Sequence, residues 1–577
     1  MGRAGLNVSW RPPLISLQNQ NIVDMNMKTP SHNGMPVSVT IPALLDEQAQ
    51  KYDDNDAVVA GTWRLSYQQL RAEVRRTAKG LMALGVARGG HVAILMGNRM
   101  EWLMSFLAVQ QLGATAVGLN TWATPRELAF AIEHADVTCV IAVERFRKAD
   151  YRAVLGSMQP WDKSFPKLRH IVWLAVDNAA PAAVAAVAVV AASEPGSAHA
   201  LIETAWETML ASGAKISETE IDAAGNAVQG DDTAVLLYTS GSTATPKGIL
   251  LRHRHWISNS WHIGERQKVS ARDRLWLAVS LFWSFGSVNA FPNMFSHGAC
   301  TVLQEHFDAG EALALIERER CTIFYGTPNM AQALTDHPLR AKHDLSSLRS
   351  GATIGTPEQI MSIVKLGAAS ICNIYGLSET YGNCAVIDAD EPLEVRLQSV
   401  GQPLPGVTAR ICHHETGVVL PVGEVGEIRV EGPLFSAYYK DPEKTRAAYD
   451  EQGFFRTGDL GMLDAKGRLY YRGRLKEMVK SGGINIAPIE VEEALMRHPE
   501  VRTAYVIGVP HAELDEVLAA IVIAKDGKQP SAEALTQFCK QELAAYKVPA
   551  RFRFATDAEL PLTTTGKVQK MQLHTLL

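Results

Sequence analysis

From about residue 60 the chain alternates between two periods of apolar residues. Leu70, Val74, Ala78, Leu81 and Leu84 recur at helical spacing, behind a capping box of Ser66 and Gln69 and ahead of Gly85, where a helix stops. HVAILM (91–96) then reads as a buried strand, EWLMSFLAVQQLG as a helix, ATAVGL as a strand, PRELAFAIEHA as a helix and VTCVIAV as a strand. Such alternation predicts βαβ units, and hence parallel sheets with helices on both faces. It resumes at AVLLYTS (234–240) and runs past residue 380. After about residue 400 the texture changes to short strands punctuated by glycine and proline (GQPLPGVTARI, GEVGEIRVEG, GRLYYRG), which predicts a small β subdomain. The last hundred or so residues predict a compact α+β unit: helix IEVEEALMRH, strands VRTAYVIGV and VLAAIVIA, helix SAEALTQFCKQEL and strand ARFRFA. A boundary between 473 and 480 follows from this pattern.

Composition narrows the class. A chain of 577 residues exceeds one compact core, and 47% hydrophobic with 20% charged residues is ordinary for a globular protein. The net charge of −5 argues against nucleic acid as a partner, which needs a basic face. The seven cysteines (139, 300, 321, 372, 384, 412 and 539) form no CxxC pair and are odd in number, which fits a reducing cytoplasm. His413 and His414 lack partners at metal spacing and read as surface imidazoles. The opening residues contain no apolar core for a signal peptide, and Leu6 stands where a myristoylation motif needs Ser or Thr. Residues 178–193 include Pro181 and are too short for the ~20 apolar residues of a membrane span. They read as a surface helix or loop, and no membrane span is expected.

The stretch LLYTSGSTATPKGILLRH (236–253) carries the first candidate chemistry. A P-loop needs glycine directly before its lysine and a hydroxyl directly after it. Here Pro246, which has no N–H to offer a phosphate, precedes Lys247, and Gly248 follows it, so that motif is rejected. Hydroxyls, glycine-exposed amides and a lysine still suit a polyphosphate. A solvated Ser/Thr-rich turn is the competing reading from this stretch alone.

Five segments in order settle between them. YTSGSTATPKG resembles the phosphate loop of the adenylate-forming superfamily, which comprises acyl- and aryl-CoA synthetases, adenylation domains and luciferases. NIYGLSET (373–380) is similar to its Y-G-x-[ST]-E segment, FFRTGDLGMLDAKGRLYYRGRLKEMVKSGGINIAPIEVEEAL (454–495) to its T-G-D and G-R-x-K segments, LPLTTTGKVQK (560–570) to its closing segment, and LGATAVGLNTWATPREL (112–128) to an N-terminal one. The resemblance spans roughly residues 42–572. It implies an α/β protein with a disordered extension over 1–41, a large domain over 42–475 and a mobile α+β lid over 476–577.

The implied reaction has two halves: a carboxylate attacks the α-phosphorus of ATP, and a thiol then displaces AMP from the acyl-adenylate. An ionised carboxylate needs no general base; it needs positive charge and donors around the phosphates. By resemblance, Thr239, Ser240, Gly241, Ser242, Thr243 and Lys247 hold the phosphates. Glu379 and Thr239 hold Mg²⁺, Tyr375 stacks on adenine, Thr380 contacts the nucleotide, and Asp459 and Arg474 take the ribose. Lys567 joins Glu379 as a catalytic group, bridging α-phosphate and carboxylate. Lys476 is the implied hinge, and Gly482 and Gly483 line the implied thiol tunnel. Ala244, in place of a glycine, and Ile354, where proline is frequent, depart from the pattern without removing a charged group.

The acyl pocket is assigned to Trp283, Phe285, Tyr325, Gly351 and Tyr381, in an aromatic setting that also includes Phe282 and Ile374. Amino-acid-activating relatives carry aspartate at the position of Trp283, so an amino acid is disfavoured; many acyl-CoA synthetases carry histidine there. The expected activity is ligation of an aromatic, alicyclic or medium-chain acid to coenzyme A. A ligase loading a separate acyl carrier protein is the alternative acceptor reading, and a non-catalytic nucleotide sensor the alternative class. Homodimerisation is left open.

Overall fold

The computed structural model describes residues 34–175, 188–190, 201–239, 246–481, 484–511, 514–562 and 568–577. Ser240, Gly241, Ser242, Thr243, Gly482, Gly483 and Lys567 lie outside the described residues, as do Ala244 and all but the last eight residues of the 1–41 extension.

The periodicity of the first half becomes two large sheets. In one, Leu201–Ala205, His170–Leu174, Cys139–Val143, His91–Leu95, Thr115–Gly118 and Thr233–Thr239 lie side by side and parallel. In the other, Asp56–Ala60, Cys300–Leu303, Arg274–Leu277, Ile323–Tyr325, Ser350–Thr353 and Ser370–Tyr375 do the same. Both sheets acquire antiparallel edges that βαβ alternation does not foresee: Lys247–Arg252 and Ala437–Tyr438 on the first, Trp63–Ser66 and Ala385–Val386 on the second.

The capping box of Ser66 and Gln69 opens the helix Tyr67–Ala83, whose Leu70, Val74, Ala78 and Leu81 are fully buried. Each large side chain so buried is worth about 1.5–3 kcal/mol relative to exposure. Met100–Gln111 is buried nearly all round, which is why its sequence shows an apolar block in place of a stripe. One apolar cluster runs continuously through both sheets.

Thr408–Cys412, Gly426–Glu431, Phe455–Leu463 and Leu469–Arg474 form an antiparallel four-stranded sheet, the β subdomain expected from glycine and proline spacing. Beyond it, Val501–His511 and Asp515–Ala524 pair antiparallel, Arg551–Phe554 adds a parallel strand, and the helices Pro488–Met496 and Ala532–Glu542 complete a unit with its own apolar core. One expectation needs correcting. Within 178–193, read as a surface helix or loop, Ala188–Val190 is a strand pairing with Leu201–Ala205 at the sheet edge; the rest of that segment lies outside the described residues. The alanine- and valine-rich run satisfies its backbone against an edge strand that βαβ counting had not supplied. Among the described residues no helix is long and apolar enough to cross a membrane.

Candidate active site

Thr233–Thr239 and Lys247–Arg252 pair antiparallel, with Thr239 opposite Lys247. The intervening residues therefore link strand to strand, whereas a P-loop leads from strand to helix; topology thus rejects that motif independently of Pro246. Lys247 is fixed at the root of the loop. Its strand pairs outward with Ala437–Tyr438, placing Lys247 Nζ 5.0 Å from the centroid of the Tyr438 ring. The Tyr438 hydroxyl donates to Glu379 Oε1 at 2.8 Å.

Glu379 sits in the turn Ser378–Thr380, four residues beyond the end of the strand Ser370–Tyr375, and is buried. Its carbonyl accepts from Phe435 N at 2.8 Å, locking the turn to the segment that carries Tyr438. Thr380 closes the turn on itself, its hydroxyl accepting from Leu377 N at 2.9 Å. Tyr381 follows in the left-handed region, and its hydroxyl accepts from Arg252 N at 2.7 Å, tying the turn to the far end of the lysine strand. Glu379 thus meets Lys247 through Tyr438. Glu379 is a buried carboxylate, a hard oxygen donor of the kind that Mg²⁺ takes.

The second corner is built by strand register. Asp459 and Arg474 stand directly opposite on Phe455–Leu463 and Leu469–Arg474, so a one-residue slip would separate them. Arg474 Nε lies 3.1 Å from Asp459 Oδ1, with the Asp459 side chain 4% exposed and that of Arg474 44% exposed. Tyr375 Oη donates to Asp459 Oδ2 at 2.9 Å. Burial pushes the Asp459 carboxyl above its ordinary range, opposed by the Arg474 charge and the Tyr375 hydrogen bond. Oδ1 has the ion pair but no hydrogen bond among the described residues, leaving it able to accept from a ligand hydroxyl. The Tyr471 ring lies 5.8 Å from that of Tyr375. Behind Tyr375, the buried Cys384 thiol contacts the Tyr375 carbonyl at 3.7 Å and is pushed up to about 12 by burial.

The aromatic pocket candidates divide. Trp283 caps a π-helical segment, Ser284–Ala290, and packs edge-on to Trp122 and Phe282 at 5.1 and 5.5 Å between centroids. Phe285, two residues further, packs on Tyr325 at 4.9 Å between centroids. The Ser378 and Ser284 hydroxyls join at 3.2 Å, linking this helix to the Glu379 turn. Gly351 has φ +137° in the neighbouring strand, where a Cβ would come within 1.9 Å of Phe324 O; strand packing alone demands glycine there. Tyr381 has its contacts elsewhere, with Arg252 and with the His255 ring 5.7 Å away.

Lys476 lies in the turn Leu475–Glu477, directly after Arg474; burial first, and then the Arg474 charge, lower its ammonium pKa. Glu477 in the same turn is 3.6 Å from Lys570 Nζ, which also pairs with the buried Glu492 at 2.7 Å. The chain end that follows Lys567 is therefore tied to both the turn and the helix Pro488–Met496. The strands flanking Gly482 and Gly483 pair antiparallel, with Ser481 opposite Ile484.

Sequence reading missed Tyr438, Tyr471 and Trp122. Tyr438 is 59 residues from Glu379, and nothing local to SAYYK signals that partner. The doublet of tyrosines beside an edge strand was the one available hint.

Comparison with known proteins agrees with this geometry. Residues 45–439 match the family model "AMP-binding enzyme", and residues 490–567 match "AMP-binding enzyme C-terminal domain". The chain belongs to the AMP-binding enzyme family. A putative acyl-CoA synthetase, YngI, of Bacillus subtilis is 32% identical, covering 93% of this chain and 96% of that one. A 3-[(3aS,4S,7aS)-7a-methyl-1,5-dioxo-octahydro-1H-inden-4-yl]propanoyl:CoA ligase of Rhodococcus jostii is also 32% identical, covering 93% and 98% respectively. Among solved structures, the anthranilate CoA ligase AuaEII in complex with anthranoyl-AMP superimposes with a TM-score of 0.78 at 25% identity, covering 94% of this chain and 98% of that one. Within the family this chain is an AMP-forming acyl-CoA synthetase, with a carboxylic acid, ATP and coenzyme A as its substrates. The relatives do not favour the carrier-protein alternative.

Proposed function

We propose that the acid is an apolar one with an alicyclic, aromatic or medium-chain body, and that the residues named above divide the two half-reactions between them. The single observation that carries the division of labour is the convergence of three sheets on one corner. Lys247 comes from the first sheet, Glu379 follows the last parallel strand of the second, and the Asp459–Arg474 pair spans the third. Lys247 and the loop before it hold the β- and γ-phosphates, with Thr239 beside them. Glu379, steadied by Tyr438, holds Mg²⁺, which supplies charge neutralisation when bound. Tyr375 faces adenine, Thr380 the nucleotide phosphate, and Asp459 and Arg474 the ribose hydroxyls. The aromatic group of Trp122, Phe282, Trp283 and Phe285 supports an apolar acid, and the hydrindane-propanoate and anthranilate relatives support a ring.

The second half-reaction assigns the turn at Lys476 as a hinge between a large domain ending at 475 and a lid over 476–577, with Gly482 and Gly483 along the thiol path. Lys567 serves only the first half. Lys567→Ala therefore loses adenylate formation, read as acid-dependent pyrophosphate exchange, yet still converts supplied acyl-adenylate to thioester. Equal loss in both assays would remove Lys567 from this role. A panel of carboxylic acids scored by AMP release tests the acid class, and preference for short polar acids would overturn it.

A further inference from the structure

The edge strand that carries Tyr438 has a rear face as well as a front. Tyr438 turns to the front, beside Lys247 and onto Glu379, whereas Tyr439, the next residue, turns to the other side of the sheet, as successive strand residues do. The Tyr439 N–H donates at 2.7 Å to the carbonyl of Gly248, the residue directly after Lys247. Gly248 also stands opposite Tyr238, which directly precedes Thr239. A Cβ on Gly248 would lie 3.3 Å from Tyr439 Cβ and 3.5 Å from Tyr238 Cε1, so both tyrosines close over the glycine on the face away from Lys247.

What holds these two tyrosines comes from a distant part of the chain. The helix Pro125–His134 ends at His134, whose Nδ1 lies 2.7 Å from the Tyr238 hydroxyl. Two residues on, Asp136 Oδ2 accepts from the Tyr439 hydroxyl at 2.9 Å and pairs with Lys167 at 3.0 Å, while Oδ1 pairs with Lys440 at 3.0 Å. Burial favours the neutral acid at Asp136, but Lys440, Lys167 and Tyr439 together outweigh it and hold the carboxyl at about 2. The bond from Tyr439 is therefore charge-assisted at neutral pH. The Tyr439 ring lies edge-on between His91 and His134, 5.4 and 5.7 Å away. The two tyrosines are the chain neighbours of front-face residues, Tyr238 of Thr239 and Tyr439 of Tyr438.

We propose that Asp136 and His134 are positioning residues for ATP: by fixing Tyr439 and Tyr238 from behind the edge strand, they set where Lys247 and Tyr438 stand in front. The placement passes through short steps. Tyr439 is hydrogen-bonded to the Gly248 carbonyl, one residue from Lys247, and joined to Tyr438 by a single peptide bond. This rests on the reading of Lys247 as a ligand of the β- and γ-phosphates.

The test measures the two half-reactions separately in Tyr439→Phe, which keeps the ring and removes the donor, and in Asp136→Asn, which keeps the shape and removes the charge. Each is expected to raise the ATP KM of acid-dependent pyrophosphate exchange by about 3- to 10-fold. The acid KM, and the conversion of supplied acyl-adenylate to thioester, should stay at the wild-type values, because the acyl-adenylate has no β- or γ-phosphate. The double variant should be no worse than the more severe single one, since both changes act through one bond. Tyr238→Phe probes the His134 link in the same way, and an unchanged ATP KM there removes His134 from the role. If one of the Asp136 and Tyr439 variants fails to fold, the other decides. An unchanged ATP KM, additive losses in the double variant, or equal loss in both half-reactions overturns the assignment, the last being what a merely structural role would give. Lys247→Gln, run alongside, separates the two readings. An unchanged ATP KM in that variant would take Lys247 off the phosphates and this inference with it. A raised one, with Tyr439→Phe and Asp136→Asn at wild-type values, overturns the inference alone.

Discussion

The charged corner around Glu379 and Asp459 and the neutral polar network around Tyr325 handle burial in opposite ways. At the nucleotide corner the charged groups are matched inside the protein: Asp459 with Arg474 and Tyr375, Glu379 with Tyr438, and Lys247 over a tyrosine ring. Around Tyr325, a buried chain of neutral groups from Asn289 to Asn293 leaves an amide atom at each end with no partner among the described residues. The magnitudes explain the difference. An uncompensated buried charge costs several kcal/mol, too much to leave waiting for a ligand, whereas an unpaired amide costs only about 1–3 kcal/mol. The charged groups are therefore paired within the protein, while the neutral network leaves amide atoms open at its ends.

Removing the Glu379 charge should break the comparison most severely. Glu379→Gln is expected to lower adenylation by about 10²–10³-fold and to raise the Mg²⁺ concentration for half-activity, with the acid KM little changed. A matching rise in acid KM would mean that the two regions are not separate.

Asp459→Asn comes next, at about 30–100-fold in ATP KM, because it leaves Arg474 and Tyr375 facing a neutral amide. Its pH dependence carries a sign. The folded-state pKa of Asp459 is raised, so the carboxylate is lost as pH falls through that value, and the wild-type ATP KM should climb on acidification. Relative to Asp459→Asn, the same raised pKa stabilises the fold at low pH and loses that contribution as pH rises through it. Nucleotide affinity and local stability therefore move in opposite directions with pH, and parallel movement in titrations of both proteins would contradict the assignment.

Tyr438→Phe keeps the ring under Lys247 and removes only the donor to Glu379, so about a 10-fold loss is expected, again in the Mg²⁺ dependence. Trp283→Phe should be the smallest change, a few-fold shift in acid KM confined to bulky acids, because Trp122 and Phe282 remain packed beside it. An effect on ATP KM larger than that on acid KM would place Trp283 with the other region.

The division also describes what the sequence made legible. Charged and hydroxyl residues of this corner lie in short contiguous segments, TSGSTATPKG, YGLSET and RTGD: Thr239 and Lys247 are at strand ends, Glu379 is in a turn and Asp459 is within one strand. Strand register then brings Asp459 to Arg474 with no long-range information beyond a hairpin. The buried polar network around Tyr325 is assembled differently. Asn289, Tyr325 and Gln267 come from three elements, and each alone looks like an ordinary core residue. Gly351, attributed to the pocket from its motif, is also demanded by a neighbouring carbonyl. The parallel core was legible because buried strands and amphipathic helices alternate. The antiparallel edges were not, since pairing direction at an edge is decided by the connecting loop and leaves no period in the chain.

The burial of Cys384 has a consequence for side chemistry. An enzyme that makes an activated acyl group near a sulfur of its own is exposed to self-acylation. At pH 7 a thiol held at about 12 is ionised in only about one molecule in 10⁵. Buried against the Tyr375 carbonyl, Cys384 is therefore a poor rival to the incoming thiol.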